Sequence, residues 1–375
     1  MKYTHKQAEF LFNRELTMQA EAIKKNDHQA LSVPMLVGPP GIGKTEIARA
    51  AAQRLNLPFL PINCGESTDA SDILGIPSEK KDGGGGLFTE WILNKYATQA
   101  CLKPVFLLFD DMDKSPDVVQ GALLSVTANR TFRDKSLNPR TIIACAGNGV
   151  SDDILANEIC ESLRTRITVI SMIPDVLSYS QHGISTGTVH PSIVGYLQFK
   201  PEHLHAHKEG VPRFPTPRGW TEASKHFFQF PNPREDIFGN RTNNNWKTIV
   251  ALKLGDHVAN DFWAWHEILS SIDVEGILTG AKKFDNSGDP SERRMRQYAA
   301  IFALATWLNT HPIKPTYTGL LDWITSVDPE MQIALIVQLK STVRTKIAEV
   351  FPEVADELMA ELISTGDHKT KASKK

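Results

Sequence analysis

Gly38-Pro39-Pro40-Gly41-Ile42-Gly43-Lys44-Thr45 reads G-x-x-x-x-G-K-T directly behind the apolar run Pro34-Met35-Leu36-Val37, and this stretch decides the fold. The spacing is that of a loop that cradles phosphate. Its glycines let backbone N–H groups turn inward, the Lys44 ammonium adds a point charge at the β- and γ-phosphates, and the Thr45 hydroxyl is placed to ligate Mg²⁺. A helix beginning at Lys44 and running through Glu46-Ile47-Ala48-Arg49-Ala50-Ala51-Ala52 points its positive end at the same phosphates. The apolar strand before the loop and the Ala-rich helix after it supply the setting the motif needs to be more than a chance glycine turn.

Outward from the loop, the pattern alternates strand and helix. Residues 5–26 predict an amphipathic helix, with Ala8, Leu11, Phe12, Leu16 and Ile23 at helical spacing. Pro58-Phe59-Leu60-Pro61-Ile62 reads as a second strand, followed by a turn-rich connection over 63–77 and an exposed hairpin or loop around the glycine run Gly83-Gly84-Gly85-Gly86. A helix is expected from about Thr89 to Cys101. Pro104-Val105-Phe106-Leu107-Leu108-Phe109 then reads as a buried parallel strand delivering Asp110-Asp111 at its carboxyl end. Ser115-Pro116 looks like the N-cap and first turn of a helix to Thr127. A buried strand over Arg140–Gly147 stops at Asn148, and Ile167–Ile170 closes the α/β half near Pro174. The predicted division is an α/β nucleotide-binding domain over 1–174, a helical lid over 175–270 broken by several prolines, and a C-terminal helical region over 271–375 ending in a disordered basic tail.

Two carboxylates at a strand end, downstream of a phosphate loop, fit the other half of a nucleotide triphosphatase site. Asp110 is expected to hold Mg²⁺ opposite Thr45, and Asp111 to orient or deprotonate the attacking water. Adjacent strand residues point to opposite faces, so only one of the pair can sit close to the metal. Asn148, at the end of the next buried strand, offers an amide that can bond both the γ-phosphate and the water. Arg164 and Arg166 lie just before the last strand, and Arg218 opens a helix in Pro215-Thr216-Pro217-Arg218-Gly219-Trp220.

In this order (phosphate loop, D-D strand, strand-end Asn, L-R-x-R before a strand, then P-x-P-R-x-W) the chain resembles the AAA+ ATPases, and among them the MoxR-like and McrB-like group. Leu107 to Ser115 with Gln120 to Leu124, and Gly255-Asp256-His257-Val258-Ala259-Asn260-Asp261-Phe262, resemble further segments of that group. The resemblance spans roughly 30–265 and fades over the last hundred residues. It implies an AAA+ P-loop core with a helical lid, with Gly38 to Thr45 binding ATP, Thr45 and Asp110 binding Mg²⁺, Asp111 acting on the water and Asn148 serving as first sensor. It also implies Arg218 as second sensor and Arg166 or Arg164 as a finger offered to a neighbouring subunit. The implied assembly is a homo-oligomeric, hexameric ring that remodels a protein, with a von Willebrand-type partner suspected. The alternatives are a McrB-like nucleic-acid motor, possibly using GTP, and a slow nucleotide switch. The last gains from Asp111, since the family usually has the longer Glu there.

Composition narrows the rest. The 375 residues exceed a single core, which stops growing near ~250–300 residues, so more than one domain is expected. A net charge of −2 argues no global attraction to nucleic acid. Cys64, Cys101, Cys145 and Cys160 lack metal-binding spacing, and no stretch approaches ~18 apolar residues, so a cytoplasmic protein with reduced thiols and no membrane association is expected. His203, His205 and His207, if helical, would fan apart rather than converge on a metal. Phe88 and Trp91, beside Lys80 and Lys81, are candidates for gripping a chain in a ring pore, with Trp91 equally readable as core.

Overall fold

The computed structural model describes residues 1–25, 32–81, 83–149, 156–207, 213–235 and 245–357. The chain divides into two compact units, Met1–His182 with Thr216–Gly219, and Gly183–Pro215 with Trp220–Lys375. In the first, β1 (Lys2–Tyr3) leads into α1 (His5–Lys24), β2 (Val33–Val37), α2 (Lys44–Arg54), β3 (Phe59–Asn63), α3 (Ala70–Leu74) and the hairpin β4 (Ile76–Lys81) and β5 (Leu87–Ile92). Next come α4 (Lys95–Leu102), β6 (Phe106–Asp110), α5 (Asp117–Asn129), a small hairpin β7 (Thr131–Phe132) and β8 (Lys135–Ser136), β9 (Ile142–Gly147), α6 (Glu161–Arg164), β10 (Ile167–Met172) and the start of α7 (Val176–Thr186). The second unit is built on α8 (Pro191–Phe199), α9 (Pro217–Gln229), α10 (Asn245–Leu254), α11 (Asp256–Ser271), α12 (Val274–Thr279), α13 (Pro290–Thr310), α14 (Gly319–Ser326), α15 (Pro329–Gln338) and α16 (Ser341–Val350). The first residues of α9 group with the first unit.

Among the described residues, six strands form one parallel sheet in the order β1-β10-β2-β9-β6-β3. Side-chain alternation along the strands explains why helices cover both faces. Leu36, Phe106, Leu108, Ile142, Ala144, Ala146, Ile170 and Met172 pack on one side against Ala8, Phe12 and Leu16 of α1 and Ile47, Ala48, Ala51 and Ala52 of α2. The intervening positions Met35, Leu107, Phe109, Ile143 and Cys145 pack on the other side against α3, α4 and α5 through Ile73, Ala97, Val119, Leu123 and Val126. Gln19 of α1 is buried in this arrangement because β2 pairs with β9 only from Cys145 onward. Its amide takes over the exposed edge, accepting from the Ile143 N–H at 2.7 Å and donating to the Ile143 carbonyl at 3.0 Å.

Three local readings are corrected. The helix expected over Thr89–Cys101 begins only at Lys95, capped by the Asn94 side chain on the Ala97 N–H. Residues 87–92 instead form β5, whose aromatic and branched side chains suit the antiparallel ladder with β4, from Ile76 opposite Ile92 to Lys81 opposite Leu87. Ser115 does not cap α5: its hydroxyl donates back to the Met112 carbonyl at 2.6 Å, and Pro116 occupies the cap position. The two-residue strand β1, absent from the sequence reading, pairs Lys2 and Tyr3 with Ser171 and Met172 of β10. The basic tail lies outside the described residues. Among the described residues no helix is long and apolar enough to cross a membrane.

The second unit holds two cores. Tyr196, Trp220, Phe227, Trp246, Phe262 and Trp265 stack into an aromatic cluster, with Phe227 and Trp246 face to face at 4.0 Å. The helices α12 to α16 close around Ile301, Leu304, Leu308, Tyr317, Trp323 and Leu335.

Candidate functional site

The sheet order puts the chemistry in one place. Strand β9 lies between β2, which feeds the glycine loop, and β6, which ends at Asp110, so Asn148 emerges between the loop and the carboxylates. Gly41 and Gly43 adopt φ of +78° and +95°, left-handed conformations that side-chain-bearing residues rarely take. A Cβ on Gly41 would also stand 3.2 Å from Arg218 Cβ and 3.5 Å from Thr216 Cβ. Helix α2 starts from Gly43 with no side chain capping its first amides, which leaves that end suited to an anion.

Lys44 is buried, and its ammonium donates to the carbonyls of Gly38 at 2.7 Å and Pro39 at 2.9 Å and to Asn148 Oδ1 at 2.8 Å. The Thr45 hydroxyl donates to Asp110 Oδ2 at 2.8 Å. A hydroxyl and a carboxylate in contact form an all-oxygen donor pair, which fits a hard cation such as Mg²⁺. The other Asp110 oxygen accepts from the Asp111 N–H at 3.1 Å.

Asp111 lies just past the strand rather than on it. Its φ of +50° is left-handed, a region that Asp and Asn enter several-fold more often than other non-glycine residues. That turn, not strand alternation, separates the two carboxylates. Asp111 Oδ2 pairs with the Lys114 ammonium at 3.2 Å, and both side chains are about one-third exposed, 33% and 29%.

The arginines differ. Arg164 donates to the Ile159 carbonyl at 3.0 Å and faces Glu158 at 3.7 Å. Arg166 is exposed at the entrance to β10, with no side-chain partner among the described residues. Arg218 is the exposed second residue of α9, a helix that Thr216 caps by accepting from the Gly219 N–H at 3.0 Å. Thus Gly38 to Thr45, Asp110 and Asn148 converge, Asp111 follows directly on Asp110, Arg218 joins them through its Cβ beside Gly41, and Arg164 and Arg166 stand apart on α6 and at the start of β10.

Several residues of the site were missed by the sequence reading. Asp113 is buried beneath Asn148, its oxygens close to the N–H groups of Asn148 and Gly149 without good hydrogen-bond geometry, and burial raises its pKa. A Cβ on Gly147 would approach Asp113 Oδ1 to 2.4 Å and Met35 Cε to 2.7 Å, so any larger residue here would have to displace one or both side chains. Asp113 and Lys114 carry a local signal, an Asp-Lys pair one residue behind Asp110-Asp111. His5 carries none: it is 38 residues from Gly43 in sequence, yet its Nε2 stands 3.3 Å from where a Gly43 Cβ would be, and burial lowers its pKa. The candidate pore residues sit on the β4–β5 hairpin, where Leu87 and Phe88 are exposed and Trp91 is half-buried under the Arg133 guanidinium at 4.0 Å. Of the three histidines, His203 sits in a 3₁₀ turn over Pro201–Leu204, while His205 and His207 lie against Phe214.

Comparison with known proteins agrees with the core of this reading. Residues 34–145 match the AAA domain family, dynein-related subfamily. Among curated proteins, the peroxisomal Lon protease homolog 2 of Caenorhabditis elegans is 32% identical over 159 residues, 40% of this chain and 19% of that protein. The human counterpart is 37% identical over 143 residues, 36% of this chain and 16% of that protein. The chain therefore spans less than a fifth of the length of the curated relatives it matches. Among solved structures, the RuvB Holliday junction branch migration motor of Thermotoga maritima is 14% identical with a TM-score of 0.40, covering 76% of this chain and 86% of that one, a likeness too weak to speak to function. The stretch 34–145 thus matches the AAA domain family and lies, with its glycine loop and strand order, in a parallel α/β core of the P-loop type.

Proposed function

We propose that this chain is an ATP-hydrolysing AAA+ subunit of the MoxR-like kind, working in a homo-oligomeric, hexameric ring to remodel a protein partner. The observation that carries the reading is the convergence of Lys44 with Asn148 and of Thr45 with Asp110 from three strands that are not consecutive in sequence. Bound Mg²⁺ supplies charge neutralisation across the β- and γ-phosphates, and Thr45 and Asp110 are the residues that would hold it. The ammonium of Lys44 is held at the mouth of the loop by two carbonyls, from which phosphate oxygens draw it by offering full negative charge in their place. Asn148 then keeps its amide beside that ammonium, where it can also hold the attacking water. Asp111 accepts the proton of that water, and Arg166, untethered and exposed, is the finger that reaches a neighbour's nucleotide. Arg218 approaches the phosphate loop as second sensor. The exposed Leu87 and Phe88 at the tip of the β4–β5 hairpin support a role in gripping a protein chain.

A second reading, a slow nucleotide switch, is favoured by the Asp111–Lys114 ion pair, which holds Asp111 Oδ2 on a neighbouring side chain rather than on a water.

The first test is Mg²⁺-dependent phosphate release together with nucleotide binding. The wild type is expected to bind and hydrolyse ATP, and Lys44→Ala to lose both, since it removes the loop's only side-chain charge. Unchanged nucleotide affinity in Lys44→Ala contradicts the site.

A further inference from the structure

The second unit brings together a set of donors for which nucleotide hydrolysis has no use. His257 and Asp261 are one turn apart on α11, with His257 Nδ1 3.8 Å from Asp261 Oδ2. His203, from the 3₁₀ turn that follows α8, meets them from across the unit, its ring edge-on to His257 with centroids 5.8 Å apart. One ligand atom from each of the three lies within 4.8 Å of the others. We propose that His203, His257 and Asp261 form a transition-metal site, with Zn²⁺ as the ion that fits best.

The donor set of two imidazole nitrogens and one carboxylate oxygen matches zinc and its neighbours rather than Mg²⁺ or Ca²⁺, which prefer oxygen throughout. His203 is held in the manner expected of a ligand. Its Nδ1 is hydrogen-bonded to Tyr196 Oη at 2.5 Å, and Tyr196 is fully buried in the aromatic cluster, so the ring is fixed and Nε2 is the nitrogen left for a metal. His257, 76% exposed, has the freedom to close the spacing to the roughly 2.0–2.2 Å bonds of zinc.

A cation already competes for the carboxylate. The Lys200 ammonium, at the end of α8, is paired with Asp261 Oδ2. Metal binding therefore exchanges Lys200 for a divalent ion and ties the turn after α8 to α11 through three coordinate bonds in place of one ion pair.

The test is a titration of the full-length, tag-free protein with Zn²⁺ against a chromogenic chelator, read alongside thermal unfolding. The expected result is one Zn²⁺ per chain in the wild type with a raised Tm. His257→Ala, which removes an exposed side chain and leaves the packing intact, is expected to weaken binding at least tenfold and abolish the Tm shift. Lys200→Gln is expected to tighten binding, because it removes the competitor and leaves all three ligands. Wild-type protein that binds no Zn²⁺, or binds it as tightly after His257→Ala, overturns the site. Binding that Lys200→Gln fails to tighten contradicts the exchange of Lys200 for the metal.

Discussion

Asp111, the proposed base, rests on little scaffold. It stands in a left-handed conformation one residue past β6, its backbone bonded to Asp110 and its carboxylate to Lys114. Asn enters the same backbone region readily, so Asp111→Asn preserves the turn and the shape while removing the ability to take a proton. The expected outcome is Mg-nucleotide affinity within about twofold of wild type with turnover reduced by ~10²-fold or more, the lower end of what a positioned base contributes. Turnover that survives in Asp111→Asn would move the base to another residue. The identity of this pair was legible in the sequence, because an apolar run ending in two carboxylates has few other meanings behind a phosphate loop. The geometry was not: alternation predicted opposite faces of a strand, whereas the left-handed turn at Asp111 is a backbone event that no side-chain periodicity reports.

At the scale of the element, local pattern and tertiary pairing divide the legible from the illegible. Strands β6 and β9 were readable because their apolar runs are continuous and buried on both faces, and the loop and α2 because of the G-x-x-x-x-G-K-T spacing. Strand β5 was not, since six residues with one glutamate and mixed apolar spacing fit a helix until the partner β4 is known. Helix α8 offers a test of a different force. Its N-cap is His190, whose Nδ1 accepts from the Ser192 N–H at 3.2 Å, a bond that protonation of that nitrogen would remove. Both His190 and His266, packed against Trp246, have pKa values lowered to about 4, chiefly by burial. His190 feels the neighbouring His266, while His266 is pushed down further by Arg234 and up by Glu267. A histidine whose folded pKa lies below its unfolded value of about 6.5 binds its proton in the unfolded chain first. Stability is then complete above about 6.5, falls as pH drops toward 4, and loses no more from these groups below that. Each proton taken up contributes a slope of at most about 1.4 kcal/mol per pH unit. Denaturant unfolding followed by tryptophan fluorescence reads this directly, because six of the seven tryptophans belong to the second unit. A midpoint that stays flat between pH 6.5 and 4.5 contradicts the neutral, buried state of the two histidines.

For the whole molecule, the proposed activity depends on subunits meeting. The first unit assembles the glycine loop, the Thr45–Asp110 pair and the Lys44–Asn148 bond within one chain, yet leaves Arg166 exposed and without a partner among the described residues. A guanidinium placed on the developing γ-phosphate charge contributes ~10³–10⁵ in rate, whereas a surface arginine changes stability by no more than about 0.5 kcal/mol. The measurement that separates these most directly is ATP turnover per subunit for Arg166→Ala, for Asp111→Asn and for an equal mixture of the two. A ring that shares its sites predicts that each variant alone is nearly inactive while binding nucleotide normally. It also predicts that the mixture regains activity, because a subunit with intact Asp111 can then face a neighbour with intact Arg166, and that wild-type turnover per subunit rises with protein concentration. Full activity in Arg166→Ala together with full activity in Arg164→Ala, and a wild-type rate per subunit that does not change with concentration, would contradict it.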